Sequence, residues 1–352
     1  MHKPEVGGLE VSGLDVCGMD VSAQELVVLL RRDGKTELQR SFPNTPPGHQ
    51  ALRRHLGAGG GRVRVCMEST GLYGLDAALA LQAEPRVELM VANPRAVKDF
   101  SRALLQRSKT DPLDARVLLE YAARMPFQRW QPPAAEALQI TALARRIHAL
   151  TEQSTMEKNR LHALEATATS LRVIVQDLRR SVRGLNAAII RLRREAERII
   201  ARTPELTRRF RWLQSARGIG ALSALHLLGE LALIPAHCDV RQWVAYAGLD
   251  PRQHESGSSV HQKTRISKVG NRHIRRALYM PALTAVRHDP HLRAFYLRLQ
   301  ARGKCKMVAL VAVMRKLLHA IFGMFKHDAP FDGAKLCPDL ALPAPSGVAQ
   351  AA

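Results

Sequence analysis

From residue 136 to about residue 203 the chain holds few glycines or prolines, is dense in arginine, and repeats apolar residues at spacings of three and four. The series runs Leu161, Leu164, Ala168, Leu171, Val175, Leu178, Val182, Leu185, Ile189, Leu192, Ala196 and Ile199. This spacing predicts a heptad seam of more than five repeats. An ordinary core helix rarely runs so long, so the seam must meet another helix, of this chain or of a second subunit. Gly184 weakens its middle and is read as tolerated rather than as a break. Residues 136–203 are therefore expected to form a helical coiled-coil connector between an earlier and a later part of the chain.

Charge narrows the partners. Fifty-three Lys and Arg against 31 Asp and Glu give a formal charge of +22, which calls for a polyanion. No basic amphipathic anchor or lipidation signal stands at either end, so nucleic acid is favoured over lipid. Aromatic residues make up only 5%, too few for a surface that stacks many single-stranded bases, and backbone contacts to duplex or structured nucleic acid fit better. No run approaches the roughly 18 apolar residues of a membrane span, and MHKPEVGG lacks the apolar centre of a signal peptide, so the expectation is a cytoplasmic protein without a membrane partner. The five cysteines contain no C-x-x-C pair, which argues against a structural zinc site or a disulfide framework.

Before the connector, VCGMDVS and ELVVLL read as a hairpin, and RVRVCME and VELMVANP as buried strands. PPGHQALRRHLG and GLYGLDAALALQAE between them have helical spacing, and VKDFSRALLQ and DARVLLEYAARM continue helical. This alternation predicts an α/β layer domain over 14–130, closed by Met125-Pro126 and Gln131-Pro132-Pro133. A mainly α domain is expected over 204–327. The tail 328–352, ending in PDLALPAPSGVAQAA, is expected to be disordered.

Four acids in the first part have the character of hard-cation ligands. Asp20 lies in the first strand, Glu68 ends a later one, and Asp111 and Asp114 share one helix start in KTDPLDAR. Positions i and i+3 project from one helix face, and strand carboxylates can converge on them. Such a set suits Mg²⁺ or Mn²⁺ and phosphoryl transfer. The blander readings are that Asp114 is a helix-face charge and Asp111 a cap favoured by the helix dipole.

A second cluster lies in AYAGLDPRQHESGSSVHQKTRISKVGNRHIRRALYMPAL. Between 252 and 276, Arg252, Lys263, Arg265, Lys268, Arg272, Arg275 and Arg276 face the single acid Glu255, a composition that cradles phosphates. Ser256, before Gly257, is either a nucleophile or an ordinary turn residue. RGIGALSAL, with Gly218 and Gly220, is read either as a helix-hairpin-helix element offering backbone N–H groups to a phosphate or as a plain glycine turn. Tyr246, Tyr279 and Tyr296 lack the paired Arg and His of a tyrosine nucleophile and are taken as packing or phosphate-contacting residues.

GMDVS, MESTGLY, ANPRAVKDFSRAL and KTDPLDARVL, in that order, resemble the N-terminal motifs of the DEDD-type transposases of bacterial insertion sequences, the IS110 family. GLDPRQHESG, ISKVGN, IRRALYMPAL, FYLRLQARGK and VALVAVMRKLL are similar to the family's C-terminal motifs, so the resemblance spans about residues 14 to 325. It implies an N-terminal RNase H-like domain akin to Holliday-junction resolvases and a C-terminal transposase domain. It carries the acidic tetrad onto Asp20, Glu68, Asp111 and Asp114, and the nucleophilic serine onto Ser256, with Ser258 and Ser259 as close rivals. Asp15 is a decoy five residues before Asp20, while Asp76 and Asp99 are assigned to solvated helix faces. The implied activity is recombination of donor and target DNA through a phosphoserine link, with acid cluster and serine acting in one composite site. A bridge RNA is the implied guide, and a dimer or tetramer the implied assembly. Two other classes are weighed against it: a junction-resolving or repair nuclease using only the acids, and an architectural nucleic-acid-binding protein without metal dependence.

Overall fold

The computed structural model describes residues 14–69, 71, 73–105, 110–253, 255–256, 260–261 and 264–336, with only the backbone at 36, 255, 256, 260 and 261. Two compact units divide between Pro132 and Pro133.

The first unit is an α/β layer structure. β1 (Asp15–Val21), β2 (Glu25–Arg32) and β3 (Thr36–Pro43) form an antiparallel meander, and β4 (Val63–Glu68) and β5 (Val87–Ala92) extend it in parallel, in the order β3-β2-β1-β4-β5. The connections are α1 (Pro46–Gly57), after β3, and α2 (Leu75–Gln82), between β4 and β5. Cys17, Met19, Val21, Val63, Val65 and Met67 point to the core with α1 and α2. The residues alternating with them, Val16 and Cys66, pack instead with α3 (Pro94–Ala103) and α4 (Asp111–Arg124). β3 is a strand that the sequence reading does not contain. Its outer position leaves Glu37, Leu38, Gln39 and Arg40 without the apolar alternation of a buried strand.

The second unit is helical. α5 (Ala135–Glu165) and α6 (Arg172–Arg202) form a hairpin in which Glu165 meets Arg179 at 2.7 Å and Ser154 Oγ donates to Asn186 Oδ1 at 3.0 Å. The seam predicted to run unbroken from Leu161 to Ile199 is therefore interrupted. Thr167, Thr169 and Ser170, weak helix formers whose hydroxyls compete for backbone groups, end α5, and Thr167 Oγ1 donates to the Leu164 carbonyl at 3.0 Å. Ala168 and Leu171 happen to keep the spacing across the turn, but both are exposed. α6 then runs through Gly184.

The hairpin base joins a core built from α7 (Pro204–Ser215), α8 (Ala221–Leu231), α9 (Val240–Ala247), α10 (Arg272–His288), α11 (Pro290–Ala301) and α12 (Lys306–His327). α12 is long and apolar enough by composition to cross a membrane, yet Ala309, Leu310, Val313, Leu317, Leu318 and Ile321 lie buried in this core. Of the expected tail, residues 329–336 continue the ordered chain. Phe331 donates its N–H to Ser215 Oγ, and α13 (Gly333–Leu336) is a single turn; residues 337–352 lie outside the described ones.

One ionic network ties the helices. Glu230, 2% exposed, receives Arg145 through Nε at 2.7 Å and Nη2 at 2.9 Å, and Asn271 Nδ2 at 2.6 Å. Burial pushes its carboxyl up, but these two donors outweigh burial and hold it below the usual carboxylate range. A depressed folded value contributes stability above the unfolded pKa, lost as pH falls through the folded one. Glu230→Ala should cost about 2–3 kcal/mol, less than a fully buried pair because Arg145 remains half exposed. The melting midpoint at pH 7 should fall by about 5–10 °C, and an unchanged midpoint would show that the network adds nothing.

Candidate active site

Strand parity and one glycine assemble the acids. Asp20 and Glu68 sit on the face of β1 and β4 that carries Val16 and Cys66, the face covered by α4. The parallel register sets Met19 against Met67, so Asp20 and Glu68 follow side by side at the carboxyl ends of adjacent strands. Above them α4 crosses β1 at Gly18, where a Cβ would overlap the Ala115 carbonyl oxygen and the Leu119 nitrogen. Only glycine permits that approach, and it brings the first turn of α4, with Asp111 and Asp114, towards the strand ends.

Asp20 feels the charge of the other three acids. The Asp20 carboxyl is pushed up to about 6 by partial burial and then by the negative charges of Asp114 and Asp111. A backbone hydrogen bond from Val21 opposes this, and Glu68 adds to the rise. The positive end of the α4 dipole offsets part of the repulsion. As the side chains lie, no group of three His, Cys, Asp or Glu among the described residues is arranged to hold one ion. The donor chemistry nevertheless fits Mg²⁺ or Mn²⁺: all four groups are hard oxygen donors whose mutual repulsion a divalent cation relieves.

Asp15 is separated from this cluster. It is 8% exposed, on the opposite face at the other end of β1, ion-paired to Arg32 at 3.6 Å and accepting the Asp33 N–H at 3.3 Å. Asp99 is exposed between Arg95 and Arg102 on α3, and Asp76 is exposed in the first turn of α2.

In the second unit the basic cluster divides into residues with and without a side-chain partner among the described residues. β6 (Pro251–Arg252) pairs antiparallel with β9 (Arg265–Ile266), and β7 (Glu255–Ser256) with β8 (Val260–His261). Ser256 is thus a strand residue opposite Val260, while Ser258, Ser259 and Lys263 lie outside the described residues. Arg252 and Arg265 are direct cross-strand partners, both exposed. Like charges so placed repel, and a bound phosphate would relieve them. Lys268 and Arg272 are also exposed. Arg275 instead donates from Nη1 to the Ala247 carbonyl at 2.7 Å, and Arg276 pairs with Glu152 at 2.8 Å. Gly218, at φ +104, packs where a Cβ would press on the Pro281 carbonyl of α10, whereas Gly220 faces open space as the N-cap of α8. The Tyr246 carbonyl accepts the Asn271 N–H at 2.7 Å.

Sequence reasoning passes over a cavity of about 210 Å³ lined by Arg145, His148, His226, Glu230, His273 and Arg276 among others. These residues are spread over three helices, so no local motif announces them. His226 is pushed down to about 4, first by burial and then by the neighbouring His148.

A family model described as Transposase, of the DEDD type, matches residues 17–167, and a second, Transposase IS116/IS110/IS902 family, matches 211–297. The chain belongs to the IS110 family of transposases. It is 30% identical over 272 residues to the pilin gene-inverting protein of Moraxella bovis, covering 77% of this chain and 82% of that protein. A putative transposase of Sinorhizobium fredii is 26% identical, over 80% and 83% of the two chains. The insertion element IS110 protein of Streptomyces coelicolor is 30% identical over 132 residues, 38% of this chain and 32% of that one. As a member of this family the chain is a DNA-transposing and recombining enzyme.

The folded value of Asp20 lies above its ordinary 3.8, so the folded chain gains stability by protonation, and stability falls as pH rises from about 4 to about 6. Asp20→Asn should raise the melting midpoint at pH 7 by about 2–4 °C, equivalent to about 1 kcal/mol after discounting for solvent screening of a half-buried group. The difference should shrink at pH 4. A variant no more stable than wild type at pH 7 contradicts the repulsion among the acids.

Proposed function

We propose that this transposase cuts and rejoins strands of donor and target DNA through a phosphoserine intermediate at Ser256, assisted by the tetrad Asp20, Glu68, Asp111 and Asp114. The convergence of four acids on one end of the sheet, in a chain of charge +22, is the observation that carries the reading. The sheet order, antiparallel over β3-β2-β1 and parallel through β4 and β5, supports an RNase H-like catalytic domain over 14–130. Residues 136–203 serve as connector and 204–327 as the transposase domain bearing the serine. The pilin gene-inverting relative is named for a rearrangement that requires strands to be rejoined as well as cut, which supports recombination over hydrolysis.

Bound Mg²⁺ or Mn²⁺ would supply positive charge to the phosphate and be held by the four carboxylates. The Ser256 hydroxyl loses its proton and its oxygen bonds to phosphorus, while the phosphorus–oxygen bond to the leaving strand breaks and that oxygen takes a proton. Attack by the leaving group of the other duplex reverses these changes and frees the serine, so the phosphodiester bond is conserved without ATP. Arg252, Arg265, Lys268 and Arg272, together with Lys263, offset phosphate charge. Recognition of donor and target is assigned to a bridge RNA, which the positive charge accommodates. Assembly into a dimer or tetramer holds two duplexes together.

Ser256→Ala should retain DNA and RNA binding but lose plasmid recombination and the covalent protein–DNA adduct that wild type gives on denaturing gels. An adduct persisting in the variant moves the nucleophile to Ser258, Ser259 or a tyrosine. Metal-dependent nicking by a wild type that forms no adduct favours the alternative, a Holliday-junction-resolving or repair nuclease using the acids alone.

Assembly has its own test. At the hairpin turn Leu171, Val173 and Ile174 are 64%, 69% and 43% exposed, an apolar tip that association would cover. Leu171→Asp with Ile174→Asp should shift sedimentation towards the monomer while helix content is kept; an unchanged mass excludes the tip as the subunit contact.

A further inference from the structure

α6 is unlike its partner in the hairpin. It carries nine arginines against three acidic residues, whereas on α5 four basic and four acidic residues balance. Arg179, Arg193 and Arg198 meet Glu165, Glu197 and Glu195. The remaining six, Arg172, Arg180, Arg183, Arg191, Arg194 and Arg202, are exposed and have no hydrogen bond or ion pair among the described residues.

These six are not scattered. They form two rows, 172/183/194 and 180/191/202, each stepping by eleven residues. Eleven residues are about three helical turns, so each row lies nearly parallel to the axis and rises about 16 Å per step. At about 100° per residue both rows fall within an arc of about 120°, which contains no carboxylate, because Asp177, Glu195 and Glu197 lie just outside it. The buried residues Leu178, Ala196 and Ile200 occupy the opposite side. Each row extends about 33 Å, close to one turn of a DNA duplex.

We propose that the outer face of α6 is a docking surface for the phosphate backbone of duplex DNA, read without regard to sequence. Unpaired arginines held along one side of a rigid helix repel one another, and a polyanion removes that repulsion while releasing counterions. α6 contains no Phe, Tyr or Trp, so the face offers no platform for stacking the bases of a single strand. A second copy of this face is excluded as occupant by like charge. The surface is separate from the basic cluster around Ser256. It rests on the DNA substrate of the family but not on the serine chemistry.

The test uses the full chain with Arg183→Gln, Arg191→Gln and Arg194→Gln combined; Gln matches Arg in helix propensity. Binding of a random-sequence 30-base-pair DNA duplex is followed by fluorescence anisotropy between 50 and 300 mM NaCl, with helix content and sedimentation checked. The expected result is at least about tenfold weaker binding at 100 mM salt, with the slope of log affinity against log salt reduced by about 2–3. A control neutralising the exposed Arg54, Arg129 and Arg146, which removes the same net charge elsewhere, should change the slope by less than about 1. The proposal is overturned if both triple variants lose affinity and slope alike, if neither does, or if an RNA duplex loses affinity while the DNA duplex keeps it. The Ser256 adduct assay reads separately, so absence of the adduct with the slope change intact leaves the α6 surface standing.

Discussion

The acidic end of the first unit depends on how closely a helix can cross a strand. α4 lies on β1 where residue 18 has no side chain, and the backbone of Ala115 and Leu119 occupies the space a Cβ would need. With any other residue there, α4 would ride outwards and carry Asp111 and Asp114 away from Asp20 and Glu68. Arg31 of β2 reinforces the docking by bonding Glu120 of α4 at 2.5 Å and Glu37 of β3 at 2.7 Å. Packing thus holds four carboxylates at one strand end against their own repulsion, which is an arrangement that stability alone would not select. The Asp20 carboxyl, raised first by burial and then by the neighbouring acids, is the electrostatic trace of that packing.

Much of this is legible in the amino-acid sequence. Strand parity followed from VCGMDV and RVRVCME, because period-2 alternation assigns Asp20 and Glu68 to a common face once their strands are neighbours. The KTDPLDAR start placed two acids in one helical turn. The crossing at Gly18 was not legible: a glycine in a strand signals close approach but does not say by what. β3 escaped because an outer strand exposes polar residues on both faces and so loses the alternation that marks its neighbours. The unbroken heptad seam differs from the structure for another reason. Heptad spacing is a statement about sequence intervals, and 164, 168, 171 and 175 preserve those intervals across a turn in which the helix has stopped. Threonine and serine at 167, 169 and 170 were the contrary signal, and they carry more weight than spacing because a helix must form every hydrogen bond along the way.

The net charge of +22 is a sum over arginines with different work. Arg31 and Arg145 are ion-paired within the fold, Arg275 is hydrogen-bonded to an otherwise open helix-end carbonyl, and Arg252 and Arg265 face each other across a two-strand pair. Composition cannot separate these classes, since each counts one charge. Geometry separates them by whether a carboxylate or carbonyl is already within reach.

The ISKVGN string shows how far that separation changes a reading. By composition it belongs with the phosphate-cradling residues, and by geometry most of it is spent on one turn. Gly248 adopts φ +64 to end α9, and Gly270, at φ +116, lies where a Cβ would strike the Tyr246 carbonyl. Asn271 accepts the His273 N–H at 2.8 Å to start α10 while donating to buried Glu230. The turn is therefore fixed from both sides, by the end of α9 and by the network reaching α5. Fixing it sets the direction in which the chain leaves β9, and hence where Arg265 stands opposite Arg252. Asn271 and Gly270 are thus spent on positioning, while Arg252, Arg265 and Arg272 are exposed and have no side-chain partner among the described residues. A string that composition assigns to phosphate is, residue by residue, largely the brace of a turn.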